Sequence, residues 1–311
     1  MEKYRKFDDA SCGINPFVPL PEQKLSSALV VPILIRMAER LFNYCLCKMI
    51  LSGFRAGQTK ASYHPEHKDF DFIKNEKGEL SVVDKITSND VIICNNVSLI
   101  DYLFLEMAYA PLFTAVAVNK QTGKYGFRKL SMLEIPFHAI GIKFPQEVDS
   151  SQCFESLLAL KNSCYVKRPI VVFPEGTKTN GRGILSFPQD IVQILLNAAD
   201  QEKLTLHTLR FDYAFIYTSP YNSTDPTGIK TTLKLLVQVQ NSMMIQYYFN
   251  LEEKLRENIK TEEKYSYIRK TMMPRGKEYQ LQLTYHDHQQ FLDYWFGTQD
   301  KFYVSKDKKQ Q

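Results

Sequence analysis

The chain lacks an uninterrupted apolar run of the roughly 20 residues that a simple membrane-spanning helix requires. Its most apolar stretch, residues 25–54, is broken by Arg36, Glu39 and Arg40 and again around Lys48. Two amphipathic helices lying in one leaflet fit this pattern better than a spanning helix, with a soluble core helix pair as the other arrangement. No small-residue cleavage site follows in the manner of a secretory signal. Cysteine is sparse and unpatterned. The six residues Cys12, Cys45, Cys47, Cys94, Cys153 and Cys164 show no paired metal spacing. No metal site is therefore expected, and the thiols read as reduced and cytosol-facing. Cys45-x-Cys47 falls in apolar helix and suits packing, and Cys94 suits a buried strand. His64 and His67 have no metal-ligand spacing and read as surface residues. No nucleic-acid reader motif and no long basic stripe appear, which argues against nucleic acid as a partner. No internal repeat is present.

What the chain does have is apolar content and a placed charge. Over 311 residues, 44% hydrophobic composition supports a sizeable core. The net charge is +5, and residues 1–60 hold nine Lys and Arg against five Asp and Glu, a net +4. A basic and apolar N-terminal region favours an anionic membrane surface. Four divisions follow: residues 1–56 with the membrane-associated helices, a polar connector at 57–89 with a hairpin around Glu76–Glu79, an α/β domain at 90–300, and a basic tail at 301–311. Apolar runs place strands near 91–94, 113–118, 140–144, 170–173, 206–217 and 231–239, with helices between most of them. Helices are expected at 248–272 and 286–296. The fold class is α/β: a mixed, largely parallel sheet flanked by helices, preceded by an N-terminal amphipathic helix pair.

Two stretches carry chemistry. Ile170 to Phe173 reads as a buried strand, broken by Pro174 and followed by Glu175, Gly176 and Thr177. Gly176 has no Cβ, so its backbone can take unusual angles and approach a ligand closely. Glu175 reads as a fixed negative charge, and Lys178 and Arg182 add positive charge within a few residues. Such a loop can hold a hydroxyl through the carboxylate and a phosphate through the cations. Composition alone favours the plainer reading, a strand-to-loop turn with solvated charges. Upstream, residues 91–104 (VIICNNVSLIDYLF) read as strand, turn at Asn95-Asn96, then helix. Ser98 and Asp101 have the spacing of a capping box, which by itself explains both residues.

Together the two stretches resemble the glycerolipid acyltransferases, the family of the lysophosphatidic acid acyltransferases. FPEGT followed by a base resembles that family's third motif. Asn95, Ser98 and Asp101 stand at the spacing of its first, Asn-His-x-Ser-x-x-Asp, with Asn96 in the histidine position. The N-terminal MEKYRKFDDASCGINPFVP is similar to a fungal branch acting on lysophosphatidic acid and oleoyl-CoA, whose members also lack that histidine. The resemblance implies that Glu175, Gly176, Thr177 and Lys178 hold the acceptor, with Phe173, Pro174, Arg182 and Asn95 also contributing to substrate binding. It places Asn96, Ser98 and Asp101 at the reacting centre. In the family the histidine deprotonates the acceptor hydroxyl, a task suited to a group that titrates near working pH. A carboxamide has no such basicity; Asn96 can only offer hydrogen bonds to a thioester oxygen.

The other two family motifs are fainter. Pro136 and Gly141-Ile142-Lys143-Phe144 are similar to the second, but Pro145 and Gln146 stand where an Arg is expected, leaving Lys143 as a point charge. Tyr213 to Pro220 is the nearest match to the fourth. Three accounts of the chemistry stay open. Asp101 or His138, just ahead of the strand expected at 140–144, replaces the base, although a His beside Phe137 is commonly packing. Positioning and oxyanion stabilisation alone support slow transfer. Or the domain is catalytically silent and binds lipid as a membrane adaptor. The resemblance implies lysophospholipid and acyl-CoA as substrates, a membrane surface as partner, and no bound cofactor. It places the protein on the cytosolic face of the endoplasmic reticulum and on lipid droplets. Lys308 and Lys309 have the spacing of a dilysine return signal.

Overall fold

Val91–Cys94 (β1) and Ile170–Val172 (β5) are fully buried, as continuous apolar runs must be in parallel strands covered on both faces. They pair in parallel with Val91 opposite Ile170. The computed structural model describes residues 86–131, 133–164, 167–214, 221, 227–231, 242–248, 251–256, 260–273 and 280–307. Around the central pair lie β2 (Leu112–Asn119), β3 (Tyr125–Lys129), β4 (Gln146–Val148), β6 (Leu206–Ala214) and β7 (Ser242–Tyr248). The sheet order is β3-β2-β5-β1-β6-β7, with β4 paired to β2. The β1–β5, β1–β6, β2–β5 and β2–β4 pairs are parallel; the β2–β3 and β6–β7 pairs at the margins are antiparallel. The sheet is thus mixed and mostly parallel.

Alternation along the central strands divides the core into two layers. Val91, Ile93, Ile170 and Val172 point to one face. There they meet α3 (Leu157–Asn162), α4 (Gln189–Asp200), α5 (Leu251–Leu255) and α6 (Thr261–Thr271). Ile92, Cys94, Val171 and Phe173 point to the other, against Tyr102 and Leu105 of α1 (Leu99–Tyr109) and Ala139 of α2 (Glu134–Ile140). The last helix, α7 (Tyr285–Asp307), packs Phe291 and Leu292 with Ile142, Leu185 and Leu281. Cys94 is buried, as its strand position implies.

Several expectations change. The strand expected at 140–144 does not form: Ile140 ends α2, Gly141 follows with its amide donating to Phe137 O at 3.0 Å, and the next strand starts at Gln146. Pro136 falls in the first turn of α2, where a missing amide hydrogen goes unneeded, so the helix tolerates it. His138 therefore sits in the last turn of a helix, not ahead of a strand. Residues 248–272 are not one helix but α5 and α6, and β7 was not anticipated. α7 continues to Asp307, into the stretch assigned to the tail. The helix pair at 25–54, the hairpin at 76–79, most of the strand at 231–239, Tyr213–Pro220 beyond Ala214, and Lys308-Lys309 lie outside the described residues. Among the described residues no helix is long and apolar enough to cross a membrane.

Candidate functional site

Both chemistry-bearing stretches leave the sheet at the carboxyl ends of the neighbouring parallel strands β1 and β5, where open α/β sheets bind ligands. After β1, Asn95 continues the ladder with its side chain. Its Nδ2 donates to Phe211 O at 3.0 Å, and its Oδ1 accepts the Phe211 amide at 2.8 Å. Its carboxamide is thereby consumed as a clasp between β1 and β6. Ser98 caps α1, accepting from the Ile100 amide, and Asp101 completes a capping box. Asp101 Oδ2 accepts the amides of Val97 and Ser98 at 2.7 and 2.9 Å, and Tyr213 O–H donates to Oδ1. Burial pushes the Asp101 carboxyl up to about 6, opposed by those hydrogen bonds and by the nearby Lys178 charge.

After β5, Phe173 stacks near Tyr102 with ring centroids 5.0 Å apart. The chain then turns: the Gly176 amide donates to Phe173 O at 3.2 Å and Gly176 takes φ +70°. A Cβ there would come 3.2 Å from Pro145 Cγ. The loop next crosses the first stretch, with the Thr179 amide donating to Asn96 O at 3.0 Å. Glu175 turns inward, fully buried, with Oε2 accepting the Leu185 amide at 3.1 Å. Burial pushes its carboxyl up to about 8 against the Leu185 amide, the Arg269 charge and the Asn96 amide, while Oε1 has no hydrogen-bond partner of normal geometry among the described residues. Glu175 is thus largely protonated at neutral pH, which corrects the reading of a fixed negative charge. Pro174 is buried; Arg182 is exposed, and its amide donates to Asn180 Oδ1.

A cleft of about 360 Å³, part of it open to solvent, is lined by Asn96, Phe173, Gly176, Thr177, Lys178 and His138 together with Tyr102, Thr114, Lys143 and Phe144. Of the residues read from the sequence, Asn95, Ser98, Asp101, Pro174, Glu175 and Arg182 do not line it; the first five shape its walls from behind. Asn96 Nδ2 donates to Tyr102 Oη at 3.3 Å, and its buried Oδ1 has no partner among the described residues. Whichever way that amide is turned, one of its polar atoms awaits a ligand group.

No protein-family profile, no curated protein and no solved structure matches the chain. The site's chemistry therefore rests on its own geometry.

Two basic groups of differing burial, His138 and Lys178, line the same cleft. His138 is half-buried, and Arg128 Nη2 lies 3.3 Å from its Nε2. Arginine can only donate, so that nitrogen accepts and its lone pair is occupied. Burial, with the Arg128 charge adding to it, pulls the imidazole down to about 4. Lys178 is 2% exposed, its Nζ donating to Ala139 O and lying 5.8 Å from the Tyr102 ring centroid. Burial pulls its ammonium down to about 7, opposed by Asp101. Behind the cleft, Thr177 Oγ1 lies 2.9 Å from Nδ1 of the buried His288 on α7. Sequence reasoning missed Tyr102 and His288, and named Tyr213 only as the start of the Tyr213–Pro220 stretch, without its bond to Asp101. Tyr102 was signalled by its place beside Asp101, but nothing local marks His288. Among the described residues no group of three His, Cys, Asp or Glu side chains could hold a metal ion.

Proposed function

We propose that the protein transfers a fatty acyl group from acyl-CoA to a lysophospholipid, with lysophosphatidic acid as acceptor and phosphatidic acid as product. The observation that carries this reading is convergence: the stretches after β1 and β5 that resemble two acyltransferase motifs meet at adjacent parallel strands and line one cleft. In this reading the Asn96 carboxamide donates to the thioester oxygen as charge develops on it. Asp101 holds the Val97 and Ser98 amides and so fixes the Asn96 turn. Gly176 lets the backbone pass close to the acceptor, and the exposed Lys143 meets its phosphate at the cleft mouth. Acyl-CoA is a co-substrate, and no bound cofactor takes part.

The acceptor comes from a membrane, on the cytosolic face of the endoplasmic reticulum or a lipid droplet. The basic, apolar residues 25–54 support attachment as an amphipathic pair. Leu133 at the start of α2 and Phe137 within it, 81% and 67% exposed, offer apolar contact next to the pocket-lining His138.

Asn96 favours a second reading, in which an inactive acyltransferase-like fold binds lysophospholipid as a lipid-binding or trafficking adaptor. The purified full chain in mixed micelles, supplied with labelled oleoyl-CoA and lysophosphatidic acid, separates the two when run beside Asp101→Ala, Glu175→Ala and Asn96→His. An active parent that Asp101→Ala silences supports the enzyme. A silent parent with turnover gained in Asn96→His supports the adaptor.

A further inference from the structure

Lys178 is an unusual lysine. Among the described residues its Nζ is buried and makes no ion pair; it meets one backbone carbonyl and one aromatic face. An ammonium so placed is poorly solvated, and the neutral amine is favoured. The same side chain lines the cleft together with Asn96, the residue that stands where the resemblance calls for a base.

We propose that Lys178 is the general base of the acyl transfer, taking the proton of the acceptor hydroxyl in place of the absent histidine. The inference rests on the acyltransferase reading and assigns one role within it. As a neutral amine, Lys178 donates one hydrogen to Ala139 O and keeps its lone pair for the acceptor hydroxyl. The hydroxyl oxygen attacks the thioester carbonyl carbon while its proton moves to Nζ. The carbon–sulfur bond then breaks, and the ammonium returns the proton to the leaving thiolate. The products are the ester, free CoA thiol and the regenerated amine. Burial sets the amine to titrate at about 7, in the range where a base is most effective. The groups facing it are Asp101 and Tyr102 from α1, His138 from α2, and Lys143 from the loop that follows. Asp101 raises its basicity, while Lys143 and His138, when protonated, oppose a second charge there. The assignment also changes what Lys178 does for the acceptor: a half-neutral, buried amine is a weak phosphate clamp, and that task falls to Lys143.

The test measures kcat and KM of the full chain with oleoyl-CoA and lysophosphatidic acid in phosphatidylcholine vesicles across the acid-to-alkaline range. Wild type is compared with Lys178→Arg, Lys178→Met and Lys178→His. The wild-type rate should rise with pH through a limb near 7. Lys178→Arg, unable to deprotonate, should keep KM and lose about 10²- to 10⁴-fold in kcat. Lys178→His should recover part of that loss with the limb displaced. If the arginine variant does not fold, Lys178→Met carries the test through lost kcat with a retained unfolding midpoint. Between about 7 and 10.5, where the buried amine makes folding more favourable as pH rises, its stability should climb less steeply than that of the wild type. A Lys178→Arg or Lys178→Met enzyme within a few-fold of wild type, with the same pH limb, overturns the assignment and leaves the acyltransferase standing. A wild-type protein with no turnover overturns both.

Discussion

Tyr213 on β6 donates its phenolic hydrogen to Asp101 Oδ1 on α1, so the carboxylate at the last position of the first motif is paired here with a phenol. The other oxygen already serves two amides, which leaves Asp101 fully satisfied although fully buried. Removing the phenol oxygen leaves one carboxylate oxygen desolvated and unpaired. Tyr213→Phe should therefore destabilise the fold by about 1–3 kcal/mol and push the Asp101 carboxyl above its present value of about 6. A lower urea midpoint with an unchanged denaturant slope is the expected outcome.

Glu175 gives stability a pH dependence of defined sign. Its carboxyl titrates at about 8 in the folded chain, against 4.5 as the reference value. The folded state holds the proton more tightly, so this contribution is present below 4.5 and fades as pH rises through 8. Glu175→Gln removes the slope and should stabilise the protein at pH 8 by up to a few kcal/mol relative to wild type. Urea titrations at intervals across that range check it. Lys178 contributes the opposite slope above about 7, because the unfolded chain holds that proton more tightly.

The sheet centre was legible because Val91–Cys94 and Ile170–Val172 are apolar on both faces, a pattern only a covered parallel strand requires. The Ser98–Asp101 capping box was legible because it is local. The strand expected at 140–144 was not, because an Ile-Gly-Ile-Lys-Phe run is equally apolar whether it extends or follows a helix end. β7, SMMIQYY, carries its strand signal only once β6 is beside it. The charge of Glu175, the low basicity of His138 and the half-neutral state of Lys178 are set by burial, which spacing does not encode. His288 meets Thr177 across 111 positions, with no local mark on either side.

Gly176 is needed for two reasons at one position. Its φ of +70° strains any residue with a Cβ, and that Cβ would crowd Pro145 Cγ at 3.2 Å. Gly176→Ala should destabilise by about 1–3 kcal/mol and narrow the cleft that Gly176 lines. Raised KM for lysophosphatidic acid, alongside a lowered unfolding midpoint, is the expected pair of results.

His288 ties α7 to the loop that follows β5, through Thr177. Burial pulls its imidazole down to about 3 from 6.5, so it stays neutral in the fold and its contribution is lost as pH falls from 6.5 through 3. His288→Ala should destabilise by about 2–4 kcal/mol through a buried void and a lost partner for Thr177. Hydrogen exchange should show reduced protection at both Thr177 and the first turns of α7.

The most direct measurement follows the acyl group itself. Purified full chain is incubated with oleoyl-labelled CoA thioester and lysophosphatidic acid, and the lipids are separated. The account predicts label in phosphatidic acid, matched by released CoA thiol and lost in Lys178→Met. Label remaining on CoA, or appearing only as free oleate, would contradict it.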